Sequence, residues 1–271
     1  MSAVPAPPRA PGAAPGSGPR RAGPLSPATA AVLRTETRLF SREIGSMFWI
    51  VAFPVVLLGI IGLVPSFREP DPNLGGMRLV DLYVPVSVLL SMLMAAIMAM
   101  PPVVFGYREA GVLRRMRTTP VRPLALLATQ VALHGAAVAI STVLVLVVGS
   151  VVLGTPVPAA PGWYLLSYLL ALLAVFGLGA IITAIAPNAR IGTTIGTIVF
   201  FPAMFTAGVY YPIQAMAGQL QDIIALTPLG AASQALYEAM AGSTPQLEHL
   251  AVLTFWIVVC YGVAGRVFRW E

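Results

Sequence analysis

A chain of 271 residues that is 58% hydrophobic, only 10% charged and of mean hydropathy +0.85 lies far from the roughly 25% charge of soluble domains. That excludes an ordinary water-soluble fold and indicates a protein that crosses a membrane several times. Its net charge of +6 is carried by arginine alone, since the sequence has no lysine, and one cysteine, Cys260, excludes an internal disulfide framework.

Residues 1–25 are Pro, Ala, Gly and Ser with Arg9, Arg20 and Arg21. Such a composition buries too little apolar surface to offset its ordering entropy and predicts a disordered cytoplasmic tail, not a secretory signal. Residues 26–271 form the predicted membrane domain. Ser26-Pro27 reads as an N-cap with proline at the first helical position. From there Leu33, Thr37, Phe40, Ile44 and Met47 recur at steps of four and three, with Arg34, Arg38 and Arg42 on a neighbouring stripe. This spacing predicts an amphipathic interfacial helix over 26–46, its apolar face in lipid.

Six apolar stretches of about the 20 residues that a bilayer core requires follow, at about 47–64, 82–105, 124–153, 163–186, 191–211 and 250–265. Backbone in lipid must satisfy its own hydrogen bonds, and runs this long and continuous predict helices rather than barrel strands. The sixth is short, so Arg266 and Arg269 are expected to snorkel to the interface beside Trp270. Arg34, Arg38, Arg42, Arg108, Arg114, Arg115, Arg117, Arg122, Arg190, Arg266 and Arg269 all fall on one side of a six-span chain, which the positive-inside rule makes the cytoplasm. Arg68 and Arg78 fall outside, offset by Glu69, Asp71 and Asp81. The basic charge is therefore topogenic, which argues against nucleic acid as a partner. The protein is expected to be multi-pass in the cell (plasma) membrane, with both termini cytoplasmic.

The most charged stretch, "YREAGVLRRMRTTPVRPLALL", begins at Tyr107, between spans two and three. Val112, Leu113 and Met116 stand among its arginines at helical steps, Gly111 allows a bend at its start, and Pro120 ends it. A short amphipathic helix at the cytoplasmic surface suits a partner protein's groove; the plainer reading is a solvated topogenic loop. Glu109, Gly111, Leu113, Thr119, Pro120 and Val121, placed after span two and leading into span three, resemble the Glu…Gly-Thr-Leu…Thr-Pro-Val pattern of ABC transporter permeases of the type-two (drug and polysaccharide exporter) family. "FFPAMFTAGVYYPIQAMAGQLQDIIALTPLGAASQALYEAM" is similar to that family's fifth span, extracellular turn and short extracellular helices before the sixth, with Gly208, Pro212, Pro228 and Leu229 on matching positions. Ala207 in place of the usual serine, and the "MAG" at Met216 to Gly218, depart from the pattern.

The resemblance implies an all-α polytopic permease, working with a second copy of itself and with an ABC ATPase that binds ATP and Mg. It makes the segment from Tyr107 to Thr119 the coupling helix, with Glu109, Gly111, Val112, Leu113, Met116, Thr119 and Pro120 as its contacts. A phosphate-binding P-loop needs a lysine, and this chain has none, so no ATPase site and no cofactor or metal site is expected on it. The methionines of span two and phenylalanines of span five either face lipid and neighbouring helices or, as the resemblance implies, line a polyspecific pathway. Met94, Met98, Phe201 and Phe205 are the candidates. Gly192 and Gly196 are spaced for a close helix approach. The alternative function is a proton-coupled secondary transporter. It would need buried ionisable relays, for which Gln130 and His134 in span three are the strongly polar candidates. A membrane enzyme finds no motif. Glu238, Glu248 and His249 read as an extracellular loop without chemistry, and the substrate stays open between a drug-like amphiphile, a lipid and a lipid-linked sugar.

Overall fold

The computed structural model describes residues 27–112 and 123–267. Helix α1 (Pro27–Phe40) is followed by a turn and then six helices long and apolar enough to cross a membrane: α2 (Ile44–Leu63), α3 (Leu79–Glu109), α4 (Pro123–Val152), α5 (Pro161–Ile185), α6 (Ala189–Thr206) and α9 (Leu247–Val267). Short helices α7 (Gly218–Ala225) and α8 (Pro228–Met240) precede α9. A two-stranded antiparallel ribbon, β1 (Pro70–Asp71) with β2 (Met77–Arg78), fills the α2–α3 connection. The fold is thus the all-α six-span architecture expected, with boundaries that differ in several places, the second span running longer at both ends. The chain breaks at Ser41–Glu43, so Ile44 and Met47 belong to the first span and not to α1. The fifth span stops at Thr206, because Gly208 takes φ +85° and the Val209 N–H turns back to the Met204 carbonyl, a left-handed helix stop that glycine favours. The sixth span is 21 residues rather than short, since Glu248 and His249 occupy its first turn.

Helix α3 is the hub: 72% of its most apolar window is buried inside the protein, against 17% for α2 and for α9 and 22% for α6. It packs on α2, α4, α5 and α6, whereas α9 is held chiefly by α5 and α8. Glycines let these helices meet backbone to backbone. A methyl on Gly179 of α5 would overlap the Ala96 carbonyl of α3, one on Gly192 of α6 the Phe105 ring, and Gly196 faces the Ile97 carbonyl. The Gly192–Gly196 pair is therefore used inside the chain, between the fifth and second spans. Helix α8 presents Ala231, Ala232, Ala235, Leu236 and Ala239, all fully buried, to the bundle, and the Thr227 side chain caps its first turn at the Gly230 N–H. At the same end, Arg78 donates to both carboxylate oxygens of Asp81 at 2.8 and 2.7 Å and to the Gly154 carbonyl. The bond to Asp81 holds the guanidinium above its ordinary value, and the clamp ties the ribbon to the α4–α5 connection.

Two helices carry a widened turn just before proline. In α2 the π-turn Phe48–Ala52 precedes Pro54, and in α3 the π-turn Met94–Ala99 precedes Pro101 and Pro102. Proline has no N–H and its ring crowds the carbonyl four residues back, so the carbonyl of Ile50 in α2, and those of Ile97 and Met98 in α3, lose their ordinary donors. The shifted ladder adds Ala96, since the Met100 N–H bonds to Ala95 instead. An unsatisfied carbonyl in hydrocarbon is costly, and neighbours compensate. The buried Ser91 hydroxyl of α3 donates to Ile50 O at 2.8 Å, while Gly179 of α5 leaves no room for a side chain beside the Ala96 carbonyl and Gly196 of α6 faces that of Ile97.

Candidate functional site

The two π-turns face a common cleft of about 470 Å³, lined by Gly45, Ser46 and Trp49 of α2, Met94, Met98 and Ala99 of α3, and Phe200 of α6. Such turns recur at functional sites because they displace one register of side chains without ending the helix. Here they set Trp49 opposite two flexible thioethers. Met94 and Met98 are thus brought together as the sequence placed them. Phe201 and Phe205 are not on this wall: Phe201 is 55% exposed on the open side of α6, and the ring in the cleft is Phe200, one residue and about 100° of helix away.

That open side of α6 is unusual for a membrane helix. Its mean hydropathy is 1.2, the lowest of the six, where the others run from 1.9 to 2.5. The difference lies on one face, where Arg190, Thr193, Thr194, Thr197 and Ile198 line a second, shallower cleft of about 510 Å³. The hydroxyls of Thr194 and Thr197 donate back to the carbonyls of Arg190 and Thr193.

At the arginine-rich end, α3 stops at Glu109 because Gly111 takes φ +66°. Arg108 donates to the Ala186 carbonyl at 2.7 Å and the Thr183 carbonyl at 3.1 Å, satisfying acceptors at the end of α5. Glu109 accepts from the Ala189 N–H at 3.0 Å, beside the Asn188 side chain, which caps Ile191. A carboxylate there opposes the positive end of the α6 dipole. Glu109, expected as a contact for a partner, thus has an internal partner. Gly111 and Val112 follow half-buried; Leu113, Met116, Thr119 and Pro120 lie outside the described residues.

Sequence reasoning missed a buried carboxylate beside this end. Glu36 of α1 is 8% exposed, and its Oε2 accepts from the Tyr107 hydroxyl at 2.6 Å and from Gln130 Nε2 at 2.7 Å. Phe40, one turn on, meets the His134 ring edge-on at 4.8 Å. The His134 Nδ1 lies 2.9 Å from the Gln130 carbonyl, and its Nε2 is buried without a partner among the described residues. Helix α1 therefore turns its Glu36–Phe40 face toward α4, leaving Leu33 and Leu39 exposed. Only the i, i+4 pairing of Glu36 with Phe40 hinted at this in the sequence.

On the opposite end, Gly208 makes the turn after α6 and Pro212 leads into a short 3₁₀ turn at Ile213–Ala215. Tyr83 of α3 donates to the Val209 carbonyl at 3.0 Å, and the indole N–H of Trp256 to that of Leu226 at 3.0 Å. The Tyr237 hydroxyl meets the Met77 sulfur, and burial pushes its pKa above the ordinary tyrosine value. Glu238 on α8 accepts from the Gln246 N–H and stands 3.2 Å from His249 Nδ1, closing the loop before α9. Among the described residues no cluster of three His, Cys, Asp or Glu side chains comes together.

Residues 27–241 match the family described as ABC-2 type transporter. The chain is also similar to Nodulation protein J of Rhizobium leguminosarum bv. viciae, at 29% identity over 114 residues, which covers 40% of this chain and 44% of that protein. The match spans less than half of the relative's length. With six apolar helices long enough to span a bilayer and a family match over most of its length, the chain belongs to the ABC-2 type transporter family and is a multi-pass membrane component, the permease, of such a transporter.

Proposed function

We propose that this permease forms half of the pathway of an ATP-driven exporter for an amphiphilic substrate, a drug-like molecule or a lipid. It would pair with a second copy of itself and draw on an ABC ATPase that binds ATP and Mg. The polar face of α6 carries the reading. Arg190, Thr193, Thr194 and Thr197 are exposed in the single chain, and an arginine with three threonines on one stripe is a poor surface for lipid. Water or a second protein surface must cover it. The adjoining cleft, with Trp49, Met94, Met98 and Phe200, offers the adaptable apolar contacts that a polyspecific site uses.

Coupling follows from the end of α3. A push on the segment from Glu109 to Pro120 on the cytoplasmic surface meets Arg108 and Glu109, whose bonds to Ala186, Thr183 and Ala189 carry the displacement to the start of α6. A partner that binds the two positions of that segment unequally shifts the bundle between them. The proton-coupled alternative loses ground, because the buried carboxylate, Glu36, is held by two neutral donors on the rim of the bundle rather than at mid-membrane.

Two measurements test this. In a Cys260→Ala background, Thr193→Cys, Thr194→Cys and Thr197→Cys should react with a charged water-soluble thiol reagent, while Val56→Cys and Ile60→Cys on the lipid-exposed face of α2 should not, since a thiol in hydrocarbon does not ionise. Silence at all three threonine positions alongside reaction at Ser243→Cys would refute the pathway assignment. Co-purification of the ATPase should be lost or uncoupled by Gly111→Leu and Leu113→Asp; retention of both partner and flux would refute the coupling assignment.

A further inference from the structure

The cleft of Trp49, Met94, Met98 and Phe200 lies within the bilayer, and contacts between spans fix its depth. Ser141, close to the middle of the apolar stretch Leu127–Val152, reaches the Val51 carbonyl, and Ser91 of α3 reaches that of Ile50. Ile50 and Val51 therefore stand near the midplane. Glu43 precedes Ile50 by about 10 Å of helix. The Phe40 ring meets His134, which is about 10 Å into its span from Leu127, and gives the same level. Half of a hydrocarbon core is about 15 Å, so the turn that joins α1 to α2 sits inside the hydrocarbon and carries a carboxylate with it.

A carboxylate at that depth is costly and marks a functional group. The contacts of Glu43 do not account for it. It is the residue before α2, yet its side chain does not cap that helix. It has no ion pair among the described residues, and the side-chain bond that it accepts there is from the Ser46 hydroxyl, at 3.2 Å to Oε2. Arg42, next in sequence, is exposed, and its long side chain can reach back to the surface. Gly45 and Ser46 both line the cleft, so the Glu43 carboxylate stands one hydrogen bond behind that wall.

The rest of the wall suits positive charge. Trp49, braced by Phe48 and Phe53 at centroid distances of 5.3 and 5.0 Å and still 49% exposed, is the aromatic side chain that holds organic cations best. Phe200 adds a second ring, Met94 and Met98 add polarizable sulfurs, and no lining residue is basic. Arg190 of α6 lies about 9 Å nearer the surface than Gly196, which meets α3 at Ile97, and so belongs with the topogenic arginines.

We propose that the cleft selects lipophilic cations, a quaternary or protonated amine on an aromatic or hydrocarbon body. The charge rests against Trp49 beside the thioethers, Glu43 is its counter-ion across Ser46, and the body lies toward Phe200. This rests on the pathway reading given above and names the substrate class of that site. A neutral amphiphile of the same shape makes the same apolar contacts; it differs by the charge alone, whose attraction to Glu43 a low-dielectric setting magnifies.

The full-length protein in nanodiscs of phosphatidylcholine, a lipid without net charge, is dialysed against radiolabelled tetraphenylphosphonium, with empty nanodiscs as the blank. Binding should saturate, and phenylbutyltrimethylammonium should displace the label about tenfold better or more than its neutral isostere, in which carbon replaces the ammonium nitrogen. Glu43→Gln should weaken binding about tenfold or more, and Trp49→Leu about twofold to thirtyfold. Glu43→Asp, which keeps the charge, should stay closer to wild type, and Glu248→Gln, exposed at the other end, should match it. No saturable binding, equal displacement by the isostere, or wild-type affinity in a Glu43→Gln protein of native elution volume overturns the cation assignment, even where the α6 thiols react as an open pathway requires. Silence of those thiols beside charge-selective binding that depends on Glu43 overturns the pathway reading and leaves the cation site standing.

Discussion

Ser91→Ala tests whether the proline in the first span and the serine in the second are one device. The Ser91 hydroxyl and the Ile50 residue that it serves are both fully buried, and the bond is 2.8 Å. Hydrogen bonds between membrane helices average about 0.6 kcal/mol and reach about 1.7, because a freed group generally finds another partner. The Ile50 carbonyl has little alternative: Pro54 has no N–H to return, and the Phe53 N–H is bonded to Phe48. Ser91→Ala should therefore sit at the upper end, costing about 1–2 kcal/mol. Pro54→Ala restores the missing N–H, and in that background Ser91→Ala should cost no more than about 0.5 kcal/mol. Unfolding in mixed micelles, followed by circular dichroism over the four members of the cycle, reads both numbers. Ser141, which reaches the Val51 carbonyl only at 3.4 Å, is the internal control, and Ser141→Ala should cost less than Ser91→Ala because the bond is long. Equal costs for Ser91→Ala with and without Pro54 would refute the reasoning.

Glu36→Leu and Tyr107→Phe should each destabilise, and together by less than their sum, with a coupling of about 1.5–3 kcal/mol for a bond to a charged acceptor; strict additivity in a thermal-unfolding cycle would show that the contact does not form in the folded protein. Glu109→Ala removes the acceptor at the start of α6 and should cost about 0.5–2 kcal/mol, as Asn188→Ala should, whereas Glu109→Gln keeps an acceptor and loses only about 0.3–1 kcal/mol of charge–dipole attraction. A Glu109→Ala protein as stable as wild type would sink the capping assignment. Gly179→Val drives a side chain into the Ala96 carbonyl and should prevent native packing, seen as loss of a monodisperse peak in size-exclusion chromatography. Gly262→Ala, at a helical position with nothing within 4 Å, should stabilise by up to about 1 kcal/mol. Effects of the same sign at these two glycines would contradict the packing described.

The spans were legible because a bilayer imposes a length, and Leu79–Glu109 or Pro161–Ile185 announce themselves by hydropathy alone. Helix ends were legible where glycine forces them, as at Gly111 and Gly208. Orientation around each axis was not. Phe201 and Phe205 stood as candidates without Phe200 because the sequence does not say which face of α6 meets α3; the structure puts Phe200 in the cleft and Phe201 on the open face. Glu36 was not singled out, since the apolar period of α1 describes a helix against lipid, while α1 packs on α4 and buries the carboxylate against Tyr107 and Gln130. Glu109 shows a related limit: its partner lies 80 residues on, and no local spacing points there.

Many of the contacts that repair a broken backbone or bury a polar group here involve α3. Ser91 serves the first span, the Ala96 and Ile97 carbonyls receive glycines of the fourth and fifth, Tyr107 holds α1, and Arg108 and Glu109 hold the loop between α5 and α6. Proline breaks at Pro101 and Pro102 would leave an isolated helix soft at mid-length, yet α3 is the most enclosed of the six. The softness is thus confined to a place where neighbours on three sides fix the geometry, and the end at Glu109 cannot shift without moving α1, α5 and α6 with it. Helix α9 stands apart, touching α3 mainly through α5 and α8. A displacement applied at Tyr107–Glu109 is therefore expected to reach the Met94–Met98–Phe200 cleft and the threonine face of α6 directly, and α9 only by way of α5, against which it packs with Cys260 on Gly177.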